Sequence, residues 1–162
     1  MKKRLFSVIR QLLIVTASVI GGNILAVRMN EKKYKELQAL LKKNVVLCRL
    51  FHQWLTMKQE NKSISAYLEK NNFLNVAIYG MGDAGQALKN ELAGSRICVR
   101  YGIDKRADEI YSDLEIMTLE GELPDVDAVI VTSVYFIYEV ERELNKKMSC
   151  PVLSLQDILD EL

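Results

Sequence analysis

"NVAIYGMGDAGQALKNEL" (residues 75–92) decides how the chain is read. Val76, Ala77, Ile78 and Tyr79 form a short β-prone apolar run, as expected of a strand buried on both faces. Gly80, Gly82 and Gly85 follow at the spacing G-x-G-x-x-G, and Ala87, Leu88 and Leu92 then give an apolar stripe at helical spacing. A bare glycine motif is weak evidence, but strand, tight turn and helix occur here in the order a phosphate-binding turn needs. In such a turn the first glycine permits the bend, the second lets backbone N–H groups approach a pyrophosphate, and the third lets helix and strand pack closely. The helix N-terminus adds unpaired N–H groups and a partial positive charge. Gly80, Gly82, Asp83, Ala84 and Gly85 are therefore the first candidate ligand-binding residues. The Asp83 charge opposes a pyrophosphate unless the side chain points outward or caps the helix.

Working outward, "ICVRYGID" (97–104) reads as the second strand and ends in Asp104, 24 residues after Gly80. That is close to the spacing at which a carboxylate reaches ribose hydroxyls, and a carboxylate there favours NAD over NADP. Lys105 and Arg106 pull the other way, since a base at this point accepts a 2′-phosphate or a sugar-nucleotide phosphate; the alternative is that they are solvated loop charges. "LEIMTLEGELPDVDAVIVTS" (114–133) gives a short third strand around Glu115 to Met117, a one-turn helix, and a strongly apolar fourth strand, Ala128 to Thr132. Phe136 to Lys147 is helical, and "CPVLSLQDIL" (150–159) supplies a fifth strand around Val152 to Ser154 and a closing helical turn. Strand alternates with helix throughout, so an α/β fold is expected: a doubly wound, mostly parallel sheet of five strands in the order 3-2-1-4-5. Ligands of such sheets bind beyond the carboxyl ends of the strands at the switch between strands 1 and 4. That puts Thr132 and Ser133 opposite the glycine loop, where they either donate to a ligand or merely end the strand.

The rest of the chain differs in character. Residues 1–62 carry 13 basic and 3 acidic side chains, whereas residues 63–162 carry 9 and 18, an asymmetry hidden by the net charge of +1. An acidic globular half and a basic half with no groove of stacking aromatics argue against nucleic acid as a partner. Cys48, Cys98 and Cys150 form no C-x-x-C pair, so they are expected to be reduced, mostly buried thiols, with no metal site indicated.

Residues 1–29 hold a basic start and the uncharged run "QLLIVTASVIGGNILAV" (11–27). As a helix this rises about 25 Å, the lower limit for crossing a hydrocarbon core. A membrane-anchor or interfacial helix through residues 5–27, a cleaved signal peptide and a helix buried in a soluble dimer remain open; the anchor, on the cytoplasmic face of the cell membrane, suits a domain that needs cytosolic ligand. Residues 30–72 form a helical segment. From Glu31 to about Glu60, Leu37, Leu40, Leu41, Val45, Cys48, Phe51 and Leu55 recur at intervals of three and four, an amphipathic helix for a partner copy, for the carboxyl-terminal domain or for an anionic membrane surface. His52 within it is expected to be a hydrogen-bonded structural residue. "ENKSIS" (60–65) is a polar break in which Ser63 or Ser65 is placed to cap a short helix through Tyr67 and Leu68. Residues 73–162 make up the sheet domain.

A catalytic group is hard to find. Sugar-nucleotide oxidoreductases use a Tyr and a Lys four residues later on one helix face, so that the ammonium lowers the phenol pKa. Tyr101 and Lys105 have that spacing but fall on a strand and its loop, where residues four apart are not helix neighbours. Tyr138 is followed four positions later by Arg142, which cannot be assumed to do the lysine's job. No Ser/His/Asp set or Cys/His pair is apparent.

"VAIYGMGDAGQALKNEL", "YGID" and "VDAVIVTS" together resemble the Rossmann-like nucleotide-binding domain that precedes the catalytic domain in membrane-anchored nucleotide-sugar dehydratases and epimerases of bacterial capsule and O-antigen synthesis. The resemblance covers about residues 74–155. It implies NAD, NADP or a nucleotide sugar as ligand, with Gly80, Gly82 and Gly85 as the phosphate turn and Asp104 as the ribose acid. It also implies a setting in surface-polysaccharide assembly, with a synthesis enzyme or a second copy of the chain as partner. The family's catalytic domain, with its own glycine loop and Tyr/Lys pair, has no counterpart among these residues. The expected function is therefore a nucleotide-binding accessory or regulatory protein. The alternatives are an NAD-dependent nucleotide-sugar oxidoreductase or epimerase completed by a partner subunit, and a helix-mediated interaction protein with a vestigial Rossmann domain.

Overall fold

Short strands without polar outer faces are stable only when a parallel sheet is covered on both sides, and five of them meet that condition here. The computed structural model describes the backbone of residues 2–133 and 137–162 and the side chains of residues 28–133 and 137–162. Strands β1 (Asn75–Tyr79), β2 (Cys98–Ile103), β3 (Ile116–Met117), β4 (Ala128–Val131) and β5 (Val152–Ser154) form one all-parallel sheet in the order β3-β2-β1-β4-β5. The helices are α1 (Lys2–Gln59), α2 (Ile64–Lys70), α3 (Asp83–Leu92), α4 (Ile137–Leu144) and α5 (Leu155–Glu161). This is the doubly wound order expected from the sequence.

The strand period of two divides the core into two layers. Val76 and Ile78 of β1 and Ala128 and Ile130 of β4 point to one face, where they meet Leu88 and Leu92 of α3, Leu68 of α2, Ile158 of α5, and Leu50, Trp54 and Met57 of α1. Ala77, Tyr79, Val129 and Val131 point to the other face and pack with Tyr101, Ile103, and Val140 and Leu144 of α4. β2 keeps its partners through a bulge: Val76 pairs with Val99 and Ala77 with Tyr101, so Arg100 is skipped and stays exposed.

The chain divides into two compact units, Met1–Asn44 and Val45–Leu162. In the first, every side chain from Arg28 to Asn44 is exposed. In the second, the last turns of α1 belong to the core, so this unit begins well before the glycine turn. α1 runs unbroken through position 29, where the sequence changes from apolar leader to amphipathic helix. Among the described residues no helix is long and apolar enough to cross a membrane. The side chains of the apolar run 11–27, and with them the expected anchor, lie outside the described residues.

Three local expectations are corrected. Between β3 and β4 there is no helical turn but a tight turn closed by Gly121 N–H donating to the Thr118 carbonyl; the Lys147 ammonium bonds the carbonyls of Glu120 and Gly121, satisfying acceptors that a helix would have used. Cys48 and Cys98 are exposed and Cys150 is half-buried, because α1 turns Cys48 away from the sheet and Cys98 opens β2 at its edge. His52 is exposed for the same reason as Cys48. Ser63 caps α2 as expected, accepting from Ala66 N–H at 3.1 Å.

Glu91 near the end of α3 ties the helices of the first layer together. Its side chain is only 9% exposed; one oxygen accepts from the Trp54 indole N–H at 2.6 Å, the other from Ile64 N–H at 3.3 Å, and the Lys58 ammonium lies 3.3 Å away. Replacing Glu91 by Ala strands these donors, and we expect a loss of about 2 kcal/mol in urea unfolding with exposure of Trp54. Asp127 does a comparable service at the amino ends of β1 and β4, accepting from the N–H groups of Leu74 and Asn75 and from the Asn75 amide. The Asn75 N–H in particular holds its carboxyl below the usual carboxylate range. A lowered folded-state pKa contributes stability that is present above about pH 4 and is lost as the pH falls through that lowered value. The gap in melting midpoint between wild type and Asp127→Asn should accordingly shrink between pH 5 and pH 3.

Candidate functional site

β1 delivers the chain to a bend at Gly80, whose φ of +91° is a left-handed conformation natural to glycine. Gly80 N–H donates to the Ile103 carbonyl at 2.8 Å, which fastens the bend to the end of β2. From the other side, the Thr132 hydroxyl donates to the Gly80 carbonyl at 2.6 Å, and Thr132 N–H donates to the Tyr79 carbonyl. A Cβ on Gly80 would stand 2.8 Å from the Thr132 oxygen, so this residue is glycine for both conformation and space.

Gly85 is glycine for packing alone. It lies in the first turn of α3, and a Cβ there would overlap the Gly80 carbonyl oxygen. Gly82 differs from both. Its φ of −72° suits any residue, and a Cβ would meet nothing within 4 Å among the described residues. It is the exposed N-cap of α3 and offers no side chain to bond the first helical N–H groups, which remain open to an acceptor from outside.

The remaining candidate residues separate into two sets. Asp104 sits beside the turn with its carboxylate directed inward: one oxygen accepts from Met81 N–H at 2.8 Å and the other from Arg106 N–H at 3.0 Å. It thus braces the loop, yet each oxygen keeps acceptor capacity for a hydroxyl. Its charge, after burial, also contributes to raising the Tyr79 phenol above its ordinary value. Asp83 is exposed at the first position of α3, where a carboxylate favours the helix dipole. The Ala84 side chain is buried in the core, leaving only its backbone for a ligand.

Thr132 is 8% exposed, and its hydroxyl proton is committed to the turn; of the two expected donors on β4 it is the structural one. Ser133 follows it at the half-exposed strand end, whereas Lys105 and Arg106 are exposed, and Arg106 pairs with Glu109 at 3.9 Å. The structure therefore brings Gly80, Gly82, Gly85, Asp104 and Thr132 together around one turn. Among the described residues no cluster of three or more His, Cys, Asp or Glu side chains is placed to hold a metal ion.

One contributor escaped the sequence reading. Met81, between the first two glycines, is buried and lies against Gly102 of β2, where a Cβ would stand 2.8 Å from the Met81 Cγ. The loop is thus pinned by a side chain as well as by hydrogen bonds. The only cue in the sequence is an apolar residue in a loop position.

The Tyr101–Lys105 pairing does not form. The Tyr101 hydroxyl donates to the Pro124 carbonyl at 2.5 Å, in the loop leading into the amino end of β4, whereas Lys105 follows the carboxyl end of β2 and is exposed. Burial, helped by the charges of Cys150 and Asp125, pushes the Tyr101 phenol up to about 12. So bound, the phenol has no ammonium beside it to favour its ionised form. Tyr138 and Arg142 are both exposed on α4.

The chain matches no family model, no curated protein and no solved structure. Its site is therefore read from its own geometry. That geometry separates the glycines by experiment: Gly85→Ala should cost at least about 2 kcal/mol in urea unfolding, while Gly82→Ala should change stability by less than about 0.5 kcal/mol.

Proposed function

We propose that the chain binds a nucleotide, either NAD(P) or a nucleotide sugar, at the Gly80–Gly85 turn and acts as an accessory or regulatory protein without a catalytic pair of its own. One observation carries the reading. The fold itself requires glycine at positions 80 and 85, but nothing among the described residues requires it at position 82, which is where a phosphate would approach the uncapped helix N-terminus. In this reading the N–H groups at the start of α3 receive phosphate oxygens, and the free lone pairs of Asp104 receive ribose hydroxyls. Asp83 and Asp104 keep the site acidic around its rim, which favours a ligand with few phosphates and many hydroxyls.

The resemblance to the amino-terminal domains of nucleotide-sugar dehydratases and epimerases supplies the setting: bacterial surface-polysaccharide assembly, at the cytoplasmic face of the membrane. There the apolar leader would hold the protein beside a synthesis enzyme, and bound nucleotide would report substrate or cofactor supply to that partner. Catalysis, on this reading, belongs to the partner.

Calorimetry of the full chain against NAD, NADP, UDP and UDP-sugars tests the proposal. Saturable binding of at least one ligand is expected, weakened at least about tenfold by Gly82→Trp, equivalent to about 1.4 kcal/mol. Silence toward all four ligands, or equal binding by the variant, would overturn it.

A further inference from the structure

Residues 28–44 belong to the first compact unit and are helical, with every side chain exposed. Met29, Tyr34, Leu37, Leu40 and Leu41 each keep more than half of their surface in water. At about 100° per residue these five fall on one arc of roughly 140°. Lys33 and, toward the two ends of the stretch, Asn30 and Asn44 share that arc. The opposite side carries Arg28, Lys32, Lys35, Lys42 and Lys43. Two acids, Glu31 and Glu36, stand against six cations and leave a net charge of +4, and the contact of Glu36 with Lys32 is long, at 4.0 Å between exposed side chains.

We propose that residues 28–44 lie along the surface of an anionic lipid bilayer, with the apolar arc set into the boundary between headgroups and acyl chains and the cations on the headgroups. Charge selects this occupant. A segment so positive is drawn to an anionic leaflet and repelled by a second copy of itself. Width selects it too, because the arc is broader than the two-position seam of a coiled coil and has the breadth of a helix lying in the interface plane.

Lys33 discriminates further. Against a dry protein face its ammonium would need a carboxylate beside it. At a bilayer its four-carbon stem lies among the leucines while the ammonium reaches up to the headgroups, and the shallow depth of an interfacial helix leaves Asn30 and Asn44 in contact with water. The stretch follows directly on the uncharged run 11–27, so a membrane contact made by that run brings the cations to the headgroups.

The test uses the full chain with Cys48, Cys98 and Cys150 replaced by Ser and a polarity-sensitive fluorophore on one introduced cysteine. It is mixed with vesicles of phosphatidylcholine alone or of an equal mixture of phosphatidylcholine and phosphatidylglycerol. On the anionic vesicles, probes on Leu37→Cys and Leu41→Cys should shift to the blue and be quenched several-fold more strongly by spin-labelled acyl chains than probes on Lys35→Cys and Lys42→Cys. Joint replacement of Lys32, Lys35, Lys42 and Lys43 by Glu should remove the shift at Leu41→Cys and leave the melting midpoint of the domain unchanged, since all four side chains are exposed. Leucine-position probes that stay in water on anionic vesicles overturn the proposal, as do equal quenching at all four positions and an equal shift on phosphatidylcholine alone. A blue shift that needs no vesicles and grows with protein concentration also overturns it, because a second copy would then cover the arc. Neither nucleotide binding nor the depth of the run 11–27 enters these readouts.

Discussion

The start of α3 rests against the carbonyl of Gly80, with no room for a side chain on Gly85 between them. Much of the domain follows from that approach. It fixes the helix directly over the end of β1, so Leu88 and Leu92 fall on the sheet face presented by Val76 and Ile78. It also forces the left-handed bend at Gly80, which Ile103 and Thr132 then clamp from the two neighbouring strands. A turn held by β1, β2 and β4 at once has little freedom, and its exposed middle residue is presented at a defined place.

The same geometry separates what the protein needs from what a ligand would need. Thr132 and Met81 brace the turn, and Asp104 braces it while keeping acceptor capacity. Gly82 has no neighbour among the described residues that requires glycine there. A carboxylate on the loop amide at Met81 leaves the α3 N-terminus as the part of the turn open to an anion.

The sheet was legible because its strands are mostly apolar runs punctuated by Gly, Asp and Pro, and the order 3-2-1-4-5 is the one that accompanies a glycine turn after the first strand of a doubly wound sheet. The third strand, only Ile116–Met117, was still placed by its neighbours. Solvent exposure was less legible. Cys48 and His52 lie in an apolar helix, and hydrophobic spacing cannot say which of two apolar stripes the domain will cover. The site was half legible: spacing found Gly80, Gly85 and Asp104, but it could not show that Thr132 spends its hydroxyl on the turn or that Met81 anchors the loop, since both depend on contacts between residues distant in the chain. The Tyr101–Lys105 spacing was correctly unconvincing, because a strand sends its middle and its end to different places.

The charge asymmetry follows the same division: the basic half carries the apolar run and most of the long helix, and the acidic half carries the turn. The claim that joins them is that the turn is open to a nucleotide at one residue. Amide spectra of the ¹⁵N-labelled chain, titrated with NAD, NADP and a UDP-sugar, address it most directly. The account predicts saturable shifts centred on the Gly82, Asp83 and Ala84 amides with at least one ligand; spectra in which these amides stay unmoved at saturating nucleotide, or in which shifts arise elsewhere, would contradict it.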